Sequence, residues 1–187
     1  MKKLIIALLL MLPILSFGQL TTTNPDTVCY QTSGSIYQVP SLGAGYTYTW
    51  TVAAPGVITS GAGTNSIGVN WSAAAPGLIP SGVTVVASSA GCNSAPVTLN
   101  VFILQVIPTI TAVAPLCVNA SCVTLTGTPI GGTFSGTGVV GNQFCPATAG
   151  VGTHTITYTV TQNGCTFTAT TTITVNPLPV LSPISHN

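Results

Sequence analysis

The chain has 187 residues, of which only 2% are charged. Lys2, Lys3 and Asp26 are the whole set of charged side chains, so the composition excludes the basic surface that binding to nucleic acid or anionic lipid requires. Glycoside hydrolysis by a pair of carboxylates is excluded as well, because the sequence has a single carboxylate side chain.

Residues 1–18 have the pattern of a signal peptide. Two lysines precede an apolar run at residues 4–15, and Ser16-Phe17-Gly18 follows it. The run is shorter than the roughly 18–20 residues that a membrane-spanning helix needs. We predict cleavage before Gln19, export, and no membrane span in the mature chain; a retained N-terminal anchor is the alternative.

A first β unit is predicted over residues 19–104, opening at Cys29. Apolar side chains alternate with polar ones in a series of short runs, at residues 46–52, 67–71, 83–87 and 97–101. Gly and Pro separate these runs and predict turns, among them Pro80-Ser81-Gly82. Short strands at this spacing are typical of an antiparallel β-sandwich.

A second unit is predicted over residues 105–176, and its strongest signal is the run 152–175. There, apolar side chains alternate with threonines on both sides of Asn163-Gly164. Asn-Gly between two such runs indicates a type I′ turn, whose two central residues need φ > 0. The predicted hairpin register pairs Val160 with Phe167, Tyr158 with Ala169, and Ile156 with Thr171.

The two units share an early cysteine, a late Gly-Cys and a closing strand, so we interpret them as diverged copies of one module. In an exported chain, an even number of cysteines favours disulfides. Position in the repeat predicts the bridges Cys29–Cys92 and Cys117–Cys165, with Cys122–Cys145 as an additional bridge.

Residues 177–187 form a Pro-rich linker or tail. Its prolines oppose strand pairing and favour an extended segment. Residues 178–184 nevertheless include enough apolar side chains to add to a sheet edge of another copy.

The residues that could take part in catalysis do not form a recognisable catalytic site. Residues 136–141 match G-x-G-x-x-G, but neither a helical pattern nor an acidic residue follows, so we interpret these glycines as turn residues. A catalytic triad would require Asp26 of the first unit to orient His154 of the second. We interpret His154 instead as a partly buried residue that is hydrogen-bonded to a neighbouring loop.

Metal binding is disfavoured for two reasons. Calcium needs several carboxylate or carbonyl oxygens, and the carboxylates are missing. Zinc would use the second-unit cysteines with His154, but their spacing is not typical of zinc sites and export oxidises thiols. We expect no catalytic residue, no cofactor and no metal.

Aromatic residues provide the candidates for ligand contact. We predict that Trp50 is the core tryptophan and packs on the Cys29–Cys92 bridge. Trp71, flanked by polar residues, is with Tyr46 a candidate for stacking on a sugar ring.

Several stretches resemble known modules. YTYTWTV at residues 46–52 and IGVNW at 67–71 are similar to the PKD-like module of Bacteroidetes surface proteins. GGTFSGTG at residues 131–138, GTHTITY at 152–158 and NGC at 163–165 resemble the Ig-like repeats of very long adhesins of that phylum, including gliding-motility adhesins. The resemblance implies an all-β fold of two tandem Ig/PKD-like antiparallel β-sandwich domains.

The resemblance also implies a non-enzymatic exported adhesin or stalk module, secreted or at the cell surface. Asp26-Thr27-Val28 resembles the O-glycosylation motif of exported proteins of the phylum, which makes Thr27 the candidate modified residue. The implied partners are further repeats or copies of the same protein, and glycans. Such proteins usually carry a C-terminal sorting domain, and we see none after Val175; a fragment, a periplasmic protein or a different assembly would each fit.

Two other functions remain as alternatives. A self-assembling extracellular fibre subunit would use residues 178–184 for strand addition, and the near absence of charge favours it because charges normally protect exposed sheet edges. A carbohydrate-binding module would use Trp71 and nearby tyrosines.

Overall fold

The computed structural model describes residues 25–184 and residue 186. The predicted signal peptide at residues 1–18 and its cleavage site lie outside the described residues. Within the described part of the chain, no helix combines the length and apolarity needed to cross a membrane.

The first unit consists of two sheets. Its strands are β1 (Asp26–Cys29), β2 (Ser35–Gln38), β3 (Thr47–Val52), β4 (Val57–Ser60), β5 (Ser66–Asn70), β6 (Gly77–Ser89), β7 (Cys92–Asn93) and β8 (Val97–Leu104). One sheet has the order β1-β8-β6-β3, with β7 also paired to β6, and the other has the order β2-β5-β4. Side chains from both sheets share one buried core, which includes Tyr37, Val69, Trp71, Val83 and Val101. The unit is therefore a β-sandwich, as predicted.

Strand β6 runs through the turn that was predicted at Pro80-Ser81-Gly82. It stays paired with β8 on both sides of this point, with a shift in register between Ile79 and Val83. Ser81 has φ 48°, and its N–H donates to Asn100 Oδ1 at 2.8 Å. The predicted turn is wrong. The positive φ of Ser81 produces a local irregularity in the strand, and the chain does not reverse its direction.

The second unit is also built of strands, with one short helix. These elements are β9 (Thr109–Ile110), β10 (Leu116–Cys117), β11 (Val123–Thr124), β12 (Gly127–Thr128), β13 (Thr133–Ser135), β14 (Val139–Val140), β15 (Gln143–Phe144), α1 (Pro146–Ala149), β16 (Gly152–Gln162) and β17 (Cys165–Asn176). The largest sheet has the order β10-β17-β16-β13, and β11-β15-β14 and β12-β9 form smaller ones. Its core includes Leu125, Phe144, Ile156, Ile173 and Val175.

Strands β16 and β17 form the predicted hairpin. Every predicted pair is present: Val160 with Phe167, Tyr158 with Ala169, and Ile156 with Thr171. Asn163 and Gly164 have φ of 48° and 78°, as a type I′ turn requires. The inward face is buried or half-buried, whereas threonines occupy the outward face in facing pairs such as Thr157 with Thr170. A slip of one residue would exchange these faces, which explains why the alternation alone predicted the register.

The two units keep separate sheets. Among the described residues, each sheet takes its strands either from 26–104 or from 109–176, and each core does the same. The arrangement is the predicted tandem of β-sandwiches, while the domain boundaries themselves stay a prediction. After Asn176, residues 177–184 form no strand.

Candidate functional site: the terminal strands and the bridge between the units

A disulfide joins the two units. Cys29, the last residue of β1, is bonded to Cys165, the first residue of β17, with a Cα–Cα distance of 5.4 Å and a sequence separation of 136. The predicted Cys122–Cys145 bridge is confirmed. The other two predicted bridges are wrong, because Cys92 and Cys117 are free and exposed.

The register of the first unit explains why Cys29 does not reach Cys92. Cys29 lies opposite Leu104, at the end of β8 that faces the second unit along the chain. Cys92 pairs with Ser89, beyond the other end of β8 at Val97. The seven residue steps of β8 cover about 23 Å, whereas a disulfide spans Cα atoms that are about 7 Å apart at most.

The same argument separates Cys117 from Cys165. Cys117 lies opposite Asn176, at the far end of β17, and Cys165 is the first residue of that strand. The length of β17 places them about 35 Å apart. The repeat correctly aligned the turns before the late cysteines, since Ala90 and Gly91 have φ of 48° and 82°, close to the values in the second hairpin. The repeat did not predict where the early cysteines, Cys29 and Cys117, lie along the sheets.

The terminal strands of each unit pair in parallel. Strand β1 lies beside β8, with Asp26 opposite Val101 and Cys29 opposite Leu104. Strand β10 lies beside β17 in the same way. The expectation of antiparallel sandwiches is wrong for these two pairs, because strands of four and two residues are too short to show a period in the sequence.

The burial predicted for the two tryptophans is reversed, and both predicted roles are wrong. Trp71 is 0% exposed and its Nε1–H donates to Tyr37 Oη at 3.0 Å, so it cannot stack on a ligand. Trp50 is half-buried at the margin of the core, and its Nε1–H donates to the Thr64 carbonyl at 2.8 Å. The signal that could have identified Trp71 is its continuation of the inward alternation of Ile67 and Val69.

Tyr46 remains available for contact with a ligand. Its side chain is 43% exposed and lines an open groove of about 390 Å³ together with Leu42 and Cys92. The loop is held in place, since Leu42 N–H donates to Tyr48 Oη at 2.8 Å. Tyr46 as a ligand-stacking residue and Thr27 as a glycosylation site stay predictions; Thr27 is half-buried in β1.

Burial raises the pKa of the Tyr37 phenol well above its usual range, and the negative charge of Asp26 and a hydrogen bond with it add to the rise. The folded state therefore keeps this proton when the unfolded chain, with a tyrosine pKa near 10, has lost it. The stabilising contribution is complete below about pH 10 and is lost as the pH rises above that value.

We expect the free energy of unfolding to fall above about pH 10, by up to about 1.4 kcal/mol per pH unit from Tyr37 alone. Denaturant unfolding of the protein at a series of pH values, with its free thiols alkylated, measures this slope. Tyr37→Phe should flatten it, while Tyr46→Phe, which removes an exposed phenol, should leave it as in the unchanged protein. Equal slopes in all three proteins would refute the assignment to Tyr37.

His154 is half-buried, and its Nε2 lies 2.9 Å from the Gly150 carbonyl oxygen. A carbonyl only accepts, so Nε2 carries the proton. The interpretation of a histidine bonded to a neighbouring loop is confirmed. Within residues 25–184 and 186, no group of three His, Cys, Asp or Glu side chains is placed to hold a metal ion.

The glycines of the G-x-G-x-x-G match lie in turns. Gly136, Gly138 and Gly141 have φ of 142°, 81° and 61°. The helix after them, α1, has four residues, too few for a dinucleotide-binding helix. The turn interpretation is confirmed.

A protein-family model matches the first part of the chain. Residues 17–101 match the model of the PKD-like domain. This segment contains β1 to β7 and most of β8. This match covers less than half of the chain. The chain is an all-β protein built of β-sandwich units, and its first unit is similar to a PKD-like domain, a class of domain that is commonly an extracellular adhesion or stalk module. Two disulfides fit an extracellular protein.

Similarity to solved structures is low. An endo-fucoidan hydrolase of glycoside hydrolase family 107 is 16% identical with a TM-score of 0.32, over 83% of this chain and 28% of the hydrolase chain. The titin domains Z1Z2 in complex with telethonin are 14% identical with a TM-score of 0.32, over 83% of this chain and 93% of that one. The chain thus spans less than a third of the hydrolase, and at these TM-scores neither likeness carries an argument. No curated protein sequence matches significantly.

Proposed function

We propose that this chain is a non-enzymatic, exported stalk module of a bacterial cell-surface repeat protein, which transmits tension between its two ends. The observation that carries the proposal is the combination of parallel terminal strands in both units with the Cys29–Cys165 bridge between them.

Parallel terminal strands resist stretching of a unit. In such a pair, the chain enters at one end of the ladder and leaves at the other, so tension pulls the two strands past each other along their axes. All inter-strand hydrogen bonds of the pair are then loaded together, whereas peeling an antiparallel hairpin from its turn-distal end breaks them one after another. Asp26–Cys29 on β8 and Leu116–Cys117 on β17 have this geometry, so both pairs are loaded in this way when the bridge between the units is reduced.

The Cys29–Cys165 disulfide provides a covalent path for tension between the two units. A force that enters through β1 reaches Cys29, crosses to Cys165 and continues along β17. Residues 30–164, which contain most of both cores, are excluded from the stretched path, whereas Val28 in β1 and Ile173 and Val175 in β17 lie on it. A module with this connection keeps its length under a load that would otherwise unfold it.

The few titratable groups support a non-catalytic role. The carboxylate of Asp26 interacts with the buried phenol of Tyr37. His154 is bonded to a backbone carbonyl. The carbohydrate-binding alternative loses Trp71, which lies in the core, and retains only the exposed Tyr46.

Single-molecule stretching between the two ends tests the proposal. With the disulfide intact, we expect the extension at complete unfolding to come only from residues outside the bridge. Reduction should add about 450–490 Å of extended chain. Full extension of both units in the oxidised protein, or equal extension with and without reductant, would reject a tension-bearing role.

The Cys122–Cys145 bridge provides the matched control. Its sequence separation is 23, and it lies inside the segment that the inter-unit bridge shields. Replacing both of these cysteines by alanine should leave the extension of the oxidised protein unchanged.

A further inference from the structure

We propose that copies of this chain join head to tail through an intermolecular disulfide between Cys92 of one copy and Cys117 of the next. The occupant of the contact surface is thus a second copy of this chain. This inference goes beyond the stalk function and would hold for a chain that carries no tension.

The first argument is the placement of the two free thiols. Cys92 and Cys117 are both exposed, and the structure leaves them unpaired within the chain. Each lies at the end of its own unit remote from the Cys29–Cys165 bridge, as the register of β8 and β17 shows. A bond between two different surfaces of identical chains is heterologous, so the linked assembly keeps one free thiol at each of its two ends and can grow further.

The second argument is the surface beside each thiol. Cys92 lines the groove that Leu42 and Tyr46 also line, and these side chains are 54% and 43% exposed. Cys117 lies opposite Asn176, whose carbonyl accepts the N–H of Val118 at 2.9 Å, so the segment that follows Asn176 leaves the unit beside this thiol.

That segment carries exposed apolar side chains. Val180 and Leu181 are 94% and 90% exposed, and Leu178 is 47% exposed. The groove beside the other thiol is lined by both apolar and polar side chains, and its apolar part, at Leu42 and Tyr46, is complementary to this segment. Docking of residues 178–181 of one copy in the groove of the next brings the two sulfurs together.

Charge does not oppose this contact. Among the described residues, Asp26 is the one Asp, Glu, Lys or Arg side chain, and it is partly buried beside Tyr37. Identical copies usually repel each other when each carries a large net charge, and this chain has no such charge.

The bond-forming step is a thiol–disulfide exchange. The Cys92 thiolate attacks a small oxidised disulfide, such as glutathione disulfide, and releases one thiol while forming a mixed disulfide. The Cys117 thiolate of the next copy then attacks the Cys92 sulfur and releases the second thiol. Two protein thiols lose two electrons and two protons, and the small disulfide is reduced to two thiols.

Complementary single variants test the proposal. The exported full chain is incubated in a glutathione redox buffer and analysed on non-reducing gels. We expect a ladder of oligomers for the unchanged protein, monomers for Cys92→Ser alone and for Cys117→Ser alone, and dimers that stop growing when the two variants are mixed. Peptide mapping of these dimers should find Cys92 joined to Cys117, with Cys29–Cys165 and Cys122–Cys145 retained.

Two results would overturn the proposal: an unchanged protein that stays monomeric in the oxidising buffer, or single variants that dimerise alone as readily as in the mixture. The docking step is tested separately by adding Val180→Ser and Leu181→Ser to the Cys92→Ser variant, which contributes Cys117. These changes should slow dimer formation about tenfold. The reactivity of Cys117 toward a small thiol reagent should stay unchanged. An unchanged rate of dimer formation would refute docking of residues 178–181 in the groove. The stretching experiment uses the Cys92→Ser, Cys117→Ser monomer, so its outcome is independent of this one.

Discussion

Trp71→Ala is expected to lower the free energy of unfolding of the first unit by about 3–5 kcal/mol. The substitution removes a fully buried indole from the centre of the core and leaves a cavity that the surrounding sheets can only partly close. It also deprives Tyr37 Oη of the donor that it has in Trp71 Nε1–H. Both tryptophans of the chain lie in this unit, so fluorescence of the remaining Trp50 during denaturant unfolding reports the unit alone.

Trp50→Ala is the matched control for this measurement. Trp50 is of the same size but lies at the margin of the core, so its loss should cost clearly less than that of Trp71. Gly56→Ala tests the packing around Trp71 in a second way. A Cβ on Gly56 would lie 2.5 Å from the Trp71 ring. If Trp50→Ala proved as costly as Trp71→Ala, the placement of Trp71 at the centre of the core would be wrong.

Loss of the inter-unit bridge is the second large effect. We expect Cys29→Ala with Cys165→Ala to lower the free energy of unfolding by about 5 kcal/mol, because the bridge closes the longer of the two disulfide loops and restricts the unfolded chain most. The measurement is denaturant unfolding in a Cys92→Ser, Cys117→Ser background, which prevents disulfide exchange. Tryptophan fluorescence follows the first unit, and far-ultraviolet circular dichroism follows both.

Cys122→Ala with Cys145→Ala is the corresponding control. This bridge has a sequence separation of 23 and lies within the second unit, so its loss should cost about 3.4 kcal/mol. It should also leave the tryptophan transition of the first unit in place if the units melt separately. Identical shifts of that transition in both pairs of variants would contradict the assignment of Cys29–Cys165 as the link between the units.

The sequence was sufficient where one local rule decides the structure. The hairpin of β16 and β17 was predicted pair by pair, because alternation fixes the faces and Asn163-Gly164 fixes the turn. The sandwich class followed from the spacing of strands and turns. These features depend on residues that are near one another in the chain.

The sequence was insufficient to predict features that depend on contacts between segments far apart in the chain. The pairing of Cys29 depends on which end of β8 it reaches, and neither composition nor repeat position encodes that. The parallel terminal strands are held by partners about 75 and 60 residues away along the chain, as Asp26 with Val101 and Leu116 with Val175 show. The choice between Trp50 and Trp71 depended on flanking polar residues, which proved less informative than the inward alternation.

The outward face of the β16–β17 hairpin has a consequence for the solvent that the protein tolerates. Its facing threonines, among them Thr157 with Thr170 and Thr159 with Thr168, present hydroxyl groups where most proteins present lysines and glutamates. Hydroxyl groups bind water without bearing a charge, so salt does not screen them and neutral or acidic pH does not titrate them. We therefore expect the electrostatic contribution of this face to stability to depend little on moderate salt or on pH from acidic to neutral.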